Sequence, residues 1–228
     1  MIDAESVAGA GRVAKAERLR VNEIFHSLQG EAEAVGYPTV FVRLTGCPLR
    51  CQYCDTEYAF HAGEWLGIDA IVERVAEFGA EYVCVTGGEP LAQPNCLALL
   101  SRLCDRGFKV SLETSGAMDI AMVDARVARV VDVKTPGSGE PQRNRVGNLA
   151  LMRPADQLKF VICSRNDYEW SKEFMATHAL RGRCQILFSP SYDEISARDL
   201  AEWILADRLA VRFQLQLHKV LWGETPGK

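Results

Sequence analysis

The sequence lacks the long apolar runs of a membrane protein and any large excess of charge of one sign. No apolar stretch approaches the roughly 20 residues that cross a bilayer, and the N-terminal segment has no apolar core of a secretory signal. The chain carries 26 Lys and Arg against 30 Asp and Glu, a net charge of −4 that does not favour nucleic-acid binding. We therefore expect a cytoplasmic protein that binds neither membrane nor nucleic acid.

The remaining composition is typical of a globular protein. Of its 228 residues, 48% are hydrophobic and 25% are charged, which suits one domain with a sizeable core. Residues 1–20 are rich in Ala, Gly and charge and show no sustained periodicity. We predict that they form a flexible N-terminal extension and that residues 21–228 form a single domain.

Short apolar runs alternate with amphipathic helical stretches along that domain. Strand patterns are followed by helix patterns repeatedly, which predicts a mostly parallel sheet with helices outside. Since the chain is shorter than a full (β/α)8 barrel, we predict an incomplete TIM-like β/α barrel. We also predict that Ser196 caps a helix together with Asp199, that residues 212–217 form the last strand, and that residues 218–228 form a tail.

Three of the eight cysteines lie close together, directly behind a predicted strand. Cys47, Cys51 and Cys54 have the spacing C-x3-C-x2-C, and in a reducing cytosol this indicates metal ligation or burial rather than disulfides. An iron–sulfur cluster normally takes four thiolates, so three leave one iron open to a small molecule. The spacing also permits a zinc site with His61 as the fourth ligand.

Polar motifs follow five of the predicted strands. They are the cysteine loop, residues 87–90 (Gly-Gly-Glu-Pro), residues 114–116 (Thr-Ser-Gly), Lys134, and Ser189 with Pro190. Reactive groups of barrels and open parallel sheets lie at the C-terminal ends of strands. The five motifs therefore predict one shared pocket.

Two further residues fit this pocket chemically. Arg43 alternates with core residues in its strand, and a guanidinium inside a barrel requires an anion, either an internal carboxylate or a substrate carboxylate. Thr56, next to Asp55, offers the hard oxygen that magnesium prefers, although such a residue is also a common loop cap.

The cysteine loop and the Gly-Gly-Glu turn resemble those of the radical S-adenosylmethionine (SAM) superfamily. A longer series of motifs, between residues 21 and 222, resembles the 7-carboxy-7-deazaguanine synthase family. The motifs are residues 25–31 (FHSLQGE), 41–47 (FVRLTGC), 54–56 (CDT), 86–91 (TGGEPL), 113–116 (ETSG), 132–134 (DVK) and 216–219 (QLHK). The chain departs from the family at Ala32, where Gly is common.

This resemblance implies a [4Fe-4S] cluster on Cys47, Cys51 and Cys54, with SAM on the open iron and cleaved there to a 5′-deoxyadenosyl radical. The backbone of the Gly-Gly-Glu motif and Glu89 would receive the SAM amino group, and Ser115 would lie along SAM. The other implied SAM contacts are Tyr53, Cys54, Asp55, Gly88, Asp132, Val133, Lys134, Ser189, Pro190, Ser191 and Tyr192.

The resemblance also implies the substrate, 6-carboxy-5,6,7,8-tetrahydropterin. Leu28, Gln29 and Gly30 would hold the pterin edge, Arg43 and Thr86 would reach the substrate, and Thr56 would bind Mg²⁺. Hydrogen abstraction from C6 would lead to ring contraction with loss of ammonia, a carbon–nitrogen lyase reaction on the route to queuosine. No side chain is assigned as catalytic, because the cluster and SAM carry the radical chemistry.

The resemblance implies a flavodoxin or ferredoxin as reductant, and a homodimer. Two other functions are open to the residues. One is a radical SAM activase of a glycyl radical enzyme, which would not need residues 28–30 or Arg43. The other is a zinc-stabilised binding module, which would be colourless where a cluster protein is brown.

Overall fold

The computed structural model describes residues 17–223 together with 225 and 227. Residues 1–16 of the predicted extension lie outside the described residues. For residues 18–20 the prediction of a flexible extension is wrong, because the first strand already begins at Arg18. Its first residues pair with an edge strand that we had not predicted, which gives them backbone partners.

The described residues contain one sheet of nine strands in the order β3-β1-β2-β4-β5-β6-β7-β8-β9. The strands are β1 (Arg18–Leu28), β2 (Pro38–Leu44), β3 (Glu64–Gly67), β4 (Tyr82–Gly87), β5 (Lys109–Thr114), β6 (Ala128–Val133), β7 (Gln157–Ile162), β8 (Gln185–Pro190) and β9 (Arg212–Phe213). β1 runs antiparallel to β2 and β3, and all other neighbouring pairs are parallel. Because β3 and β9 remain as separate edges, the barrel is incomplete, as predicted.

Five helices connect or follow these strands in the described chain. They are α1 (Ile68–Glu77), α2 (Cys96–Asp105), α3 (Arg165–Thr177), α4 (Ala197–Ala206) and α5 (Leu217–Trp222). The apolar face of α1, formed by Ile68, Ile71, Val72 and Val75, is buried in the core. None of the described helices has the length and apolar character needed to cross a membrane.

Side chains of the parallel strands alternate between a hydrophobic core and the barrel interior. In β2, Val40, Val42 and Leu44 belong to the core cluster, whereas Phe41 and Arg43 line an interior cavity. This follows from the two-residue period of a strand. Alternation therefore directs Arg43 into the interior.

The end of the chain differs from the prediction in two respects. β9 stops at Phe213, and Leu217 begins α5 where a strand end and a tail were expected. The Gln214 N–H still bonds the Phe188 carbonyl of β8 at 3.0 Å, while its buried side chain bonds both the N–H and the carbonyl of Ala32 in a distant loop. Ser196 does occupy the N-cap position before α4, as predicted. Its hydroxyl forms no capping hydrogen bond, so the predicted side-chain cap is wrong.

Replacing Ala32 by Gly should stabilise the protein. Ala32 has φ 64°, a left-handed conformation that costs an L-residue roughly 1–2 kcal/mol. The larger entropy of Gly in the unfolded chain offsets part of this relief. We therefore expect a net increase of about 0.5–1 kcal/mol in the free energy of unfolding. Thermal unfolding of the two proteins side by side measures this, and a lower melting temperature in the Gly variant would contradict it.

Candidate active site

Nearly all of the predicted site residues line one cavity of about 700 Å³. It lies at the C-terminal ends of the strands, where the cysteine loop, the Gly-Gly turn and the residues after β5 and β8 meet. Every predicted cluster, Mg²⁺ and substrate residue lines it. The predicted SAM contacts also line it, with four exceptions: Glu89, Val133, Ser189 and Pro190. The side chain of Val133 belongs to the hydrophobic core, so only its backbone is available to a ligand.

The three cysteines of the loop face this cavity as free thiols. Cys47, Cys51 and Cys54 are each half-buried. Within the described residues no three His, Cys, Asp or Glu side chains converge closely enough for a single metal ion. His61 is exposed and does not line the cavity. The mononuclear zinc site is therefore not formed, whereas in a cluster each iron takes its own thiolate and the sulfurs need not converge on one atom.

Burial controls the protonation of these thiols in the metal-free chain. It raises the pKa of Cys47, and it raises that of Cys51 to about 11, against the opposing charge of Lys134. The thiols of Cys47 and Cys51 are thus protonated at neutral pH until a metal displaces the protons, which is the usual coupling between metal binding and proton release.

The glycines of the Gly-Gly turn are required by packing against the cysteine loop. A Cβ on Gly88 would lie 2.3 Å from the carbonyl oxygen of Gly46, and one on Gly87 would lie 2.2 Å from that of Leu44. Gly87 also has φ 146°, which L-residues rarely adopt. The turn therefore places the Gly88 backbone directly beside Cys47.

Glu89 does not face the cavity, so its predicted side-chain contact with SAM is wrong. The residue is 0% exposed. Its carboxylate accepts hydrogen bonds from the Leu91 N–H, the Thr114 hydroxyl, and both the N–H and hydroxyl of Ser115. It thus joins the ends of β4 and β5 and fixes Ser115, which does line the cavity.

The predicted SAM region contains polar atoms that lack a partner. The Tyr53 hydroxyl and Oδ1 of Asp132 are buried and have no hydrogen bond among the described residues, although buried polar atoms nearly always have one. Asp132 Oδ2 accepts from Lys134 at 2.8 Å, and the Lys134 ammonium lies 5.6 Å from the Tyr53 ring centre. These unsatisfied groups fit a polar ligand such as SAM.

The C-terminal helix α5 closes the cavity on the side of the cysteine loop. Lys219 Nζ lies 3.4 Å from Asp55 Oδ2 and 5.3 Å from the Tyr192 ring centre. Ser191, next to Tyr192, also lines the cavity, and its N–H donates to the carbonyl of Ile162 at the end of β7. Asp55 and Tyr192, predicted as SAM contacts, are therefore also contacts of α5.

Helix α5 also contacts Gly30, in the loop after β1. Its carbonyl accepts the Leu217 N–H at 2.9 Å, and a Cβ on Gly30 would lie 2.1 Å from Nδ1 of His218. His218, which the sequence analysis placed in the predicted tail, lines the cavity. The pair His218-Lys219 was the signal in the sequence that could have indicated these site residues. It could be used only if helix α5 had been predicted, because α5 brings both residues to the cavity.

Arg43 has the first of the two partners that the sequence left open, an internal carboxylate. Its Nε donates to Oε1 of Glu23 at 2.7 Å, and its guanidinium carbon lies 5.5 Å from the Phe25 ring centre and 5.8 Å from that of Tyr58. Burial acts to lower the pKa of Arg43, but Tyr58 and Glu23 outweigh it and raise the pKa. The terminal nitrogens form no hydrogen bond within the described residues, so they are available to an anion in the cavity.

Glu113 is a site residue that the sequence analysis did not single out. Its two oxygens accept from Nε2 of Gln29 at 3.3 Å and from the Thr86 hydroxyl at 3.0 Å. It thereby holds two predicted substrate residues, one from the loop after β1 and one from β4. Strand alternation from Ser115 places Glu113 on the interior face and was the signal that could have found it.

Comparison with known proteins agrees with this geometry. The model of the radical SAM superfamily matches residues 41–133. A 7-carboxy-7-deazaguanine synthase of Chlorobaculum tepidum is 48% identical over 90% of this chain and 94% of its own length. A protein of the same name from Koribacter versatilis is 42% identical over 92% of this chain and 100% of its own.

A solved structure shows the same fold. The crystal structure of QueE from Escherichia coli superposes with a TM-score of 0.69 over 88% of this chain and 95% of that one, at 24% identity. The incomplete barrel and its three-cysteine loop define a radical SAM enzyme, a class that uses a [4Fe-4S] cluster and SAM. The chain belongs to the 7-carboxy-7-deazaguanine synthase family.

Proposed function

We propose that this chain converts 6-carboxy-5,6,7,8-tetrahydropterin to 7-carboxy-7-deazaguanine with release of ammonia, acting as a carbon–nitrogen lyase on the route to queuosine. The observation that supports this most is the shared cavity. The same space is lined by the three thiols, by the available nitrogens of Arg43 and by Gln29. A reacting pterin would thus lie beside the group that starts the reaction, as proximity requires.

The substrate is oriented by the chain's own polar groups. Arg43, held at Nε by Glu23, presents its remaining N–H groups to the substrate carboxylate in the two-pronged geometry that guanidinium favours. Leu28, Gln29 and Gly30 border the pterin, and Thr86 approaches it from β4. Because Glu113 fixes both Gln29 and Thr86, these contacts are preorganised.

Cys47, Cys51 and Cys54 would hold the cluster, and the backbone at Gly88 would border the amino group of SAM. When bound, the cluster and SAM supply the radical that takes hydrogen from C6 and afterwards returns it. Tyr53, Asp132 and Lys134 would bind the nucleoside or carboxylate of SAM, which satisfies their buried polar atoms. α5 would exclude water from the cavity through Lys219 and Asp55.

We assign Mg²⁺ to Thr56. Its hydroxyl lines the cavity and lies 3.9 Å from the sulfur of Cys54. Magnesium commonly keeps several waters and takes one or two protein oxygens plus substrate oxygens, so a single threonine beside a substrate carboxylate suits it. Removal of Mg²⁺ by a chelator should lower turnover, which replacement of the metal should restore.

We also propose a homodimer, reduced by a flavodoxin or ferredoxin in the cytoplasm. Support for the dimer comes from exposed apolar side chains on and before α5, namely Leu215, Val220 and Leu221. Sedimentation velocity of the anaerobic protein tests it, and a monomer at micromolar concentration would contradict it.

The proposed reaction is tested with anaerobically reconstituted protein, SAM, Mg²⁺, a reductant and the carboxytetrahydropterin, with no partner protein present. We expect 7-carboxy-7-deazaguanine and ammonia in equal amounts, many turnovers per SAM, and little net loss of SAM. SAM cleavage without substrate conversion would contradict the proposal and favour the activase alternative.

A further inference from the structure

Lys159 and Glu31 form a buried ion pair on the wall of the cavity that no step above uses. Lys159 lies on the interior face of β7 with its side chain 13% exposed, and its ammonium donates to Oε2 of Glu31, in the loop after β1. Oε1 of Glu31 accepts from Gln216 at 2.7 Å. Both ions line the cavity.

The pair remains ionised at neutral pH. Burial acts to raise the pKa of Glu31, but Lys159, Gln216 and His218 lower it to about 2. Burial acts to lower the pKa of Lys159, but Glu31, Asp132 and Glu113 outweigh it and raise the pKa. A charged pair removed from water is costly in stability terms alone, so its place in a ligand cavity points to recognition.

The pair also has unused hydrogen-bonding capacity. An ammonium has three N–H donors and an ionised carboxylate has about four acceptor positions. Among the described residues Lys159 uses one donor, and Glu31 accepts two side-chain bonds. A donor and two acceptor oxygens therefore lie next to each other and face the ligand space.

We propose that Lys159 and Glu31 recognise the aminopyrimidinone edge of the pterin, with Lys159 donating to the C4 carbonyl and Glu31 accepting from N3–H and the 2-amino group. This inference rests on the proposed function. That edge reads acceptor, donor, donor, which complements an ammonium followed by two carboxylate oxygens. The opposite end of the substrate is its carboxylate.

The placement of charge in the cavity agrees with that orientation. Arg43, the cation for the substrate carboxylate, is on β2, whereas Lys159 is on β7, and β4, β5 and β6 lie between them in the sheet. Asp132 is paired with Lys134, and Glu113 is occupied by Gln29 and Thr86. The cavity thus presents the terminal nitrogens of Arg43 on β2 and, on β7 across three strands, the Lys159 ammonium with the Glu31 carboxylate. This arrangement suits a ligand with a carboxylate and amidine-like N–H donors at opposite ends.

The test compares two oxidised ligands, 6-carboxypterin and 6-carboxylumazine, which differ in bearing an amino group or a carbonyl at C2. Their dissociation constants are measured by fluorescence with reconstituted protein and SAM, without reductant. A carbonyl at C2 would face a carboxylate oxygen, and a site built around a substrate N–H rejects analogues that lack it. We expect the native protein to favour the pterin by about 100-fold or more.

Glu31→Gln should reduce that preference to below about 10-fold, because an amide can donate to the C2 carbonyl. Lys159→Met should weaken binding of both ligands by about 30-fold or more, the range for truncating one member of a buried charged pair. Lys159→Arg should recover most of this loss. Glu33→Gln, an exposed carboxylate two residues from Glu31, is the matched control and should change neither constant.

An unchanged preference in the folded Glu31→Gln protein would overturn the inference, as would unchanged affinities in Lys159→Met. A purely structural pair would lower the melting temperature and leave the preference intact. If the native protein neither binds 6-carboxypterin nor converts the tetrahydropterin, the proposed function fails instead. If it does both and the variants retain the preference, only this inference fails.

Discussion

Arg43→Ala is expected to weaken substrate binding by about 100- to 1,000-fold, as loss of one partner from a buried charged contact does. The guanidinium is the cation in the cavity with terminal nitrogens free of hydrogen bonds among the described residues. Cleavage of SAM without substrate should continue at nearly the native rate, because Arg43 lies on β2 and contacts Glu23, Phe25 and Tyr58 rather than the predicted SAM residues.

The Arg43 experiment separates two roles by comparing substrate affinity with 5′-deoxyadenosine release. Arg43→Lys keeps the charge without the two-pronged geometry and should fall between Ala and native protein. Arg181→Ala removes one exposed positive charge before β8, at the opposite end of the barrel, and is the matched control. Simultaneous loss of both activities in a folded Arg43→Ala protein would show that the substrate role is wrong.

Glu89→Ala is expected to be the most destabilising substitution considered, costing about 3–5 kcal/mol of the free energy of unfolding. It would leave the Leu91 N–H, the Thr114 hydroxyl and the donors of Ser115 buried without an acceptor. Each orphaned donor costs roughly 1–3 kcal/mol, and total stability is only about 5–15 kcal/mol. Chemical denaturation of the anaerobic protein measures the change.

Two variants show whether Glu89 acts through structure. Glu89→Gln keeps one acceptor oxygen and should lose less stability than Ala. Glu77→Ala, on the exposed face of α1, should be near neutral. A Glu89→Ala protein that keeps native stability and loses only SAM affinity would contradict this account and support a direct contact between the Glu89 carboxylate and SAM.

The sequence could predict the parallel sheet, the incomplete barrel and the position of most site residues. The sheet and barrel follow from the alternation of strand and helix patterns along the domain and from its length. The site residues follow from short-range patterns: the two-residue period that directs Phe41 and Arg43 inward, and the spacing of the three cysteines. The family resemblance then supplied the substrate and cofactor roles. Each strand, helix or motif in these patterns is recognised from a few consecutive residues.

The features that could not be predicted depend on contacts between distant parts of the chain. Gln214 bonds Ala32, and Gln216 and Lys159 both bond Glu31. Strand alternation indicates only that Lys159 faces the interior, and no local pattern shows which partners it and these glutamines bind. Glu89 was misassigned for the same reason, because its donors are on the next strand.

The most direct test of the central claim is the iron and acid-labile sulfide content of the anaerobically purified protein. A cluster on Cys47, Cys51 and Cys54 predicts about four irons and four sulfides per chain, and a brown colour lost in air. The variant with all three cysteines replaced by Ala should be colourless. One zinc per chain without sulfide, or iron retained by the triple variant, would contradict the account.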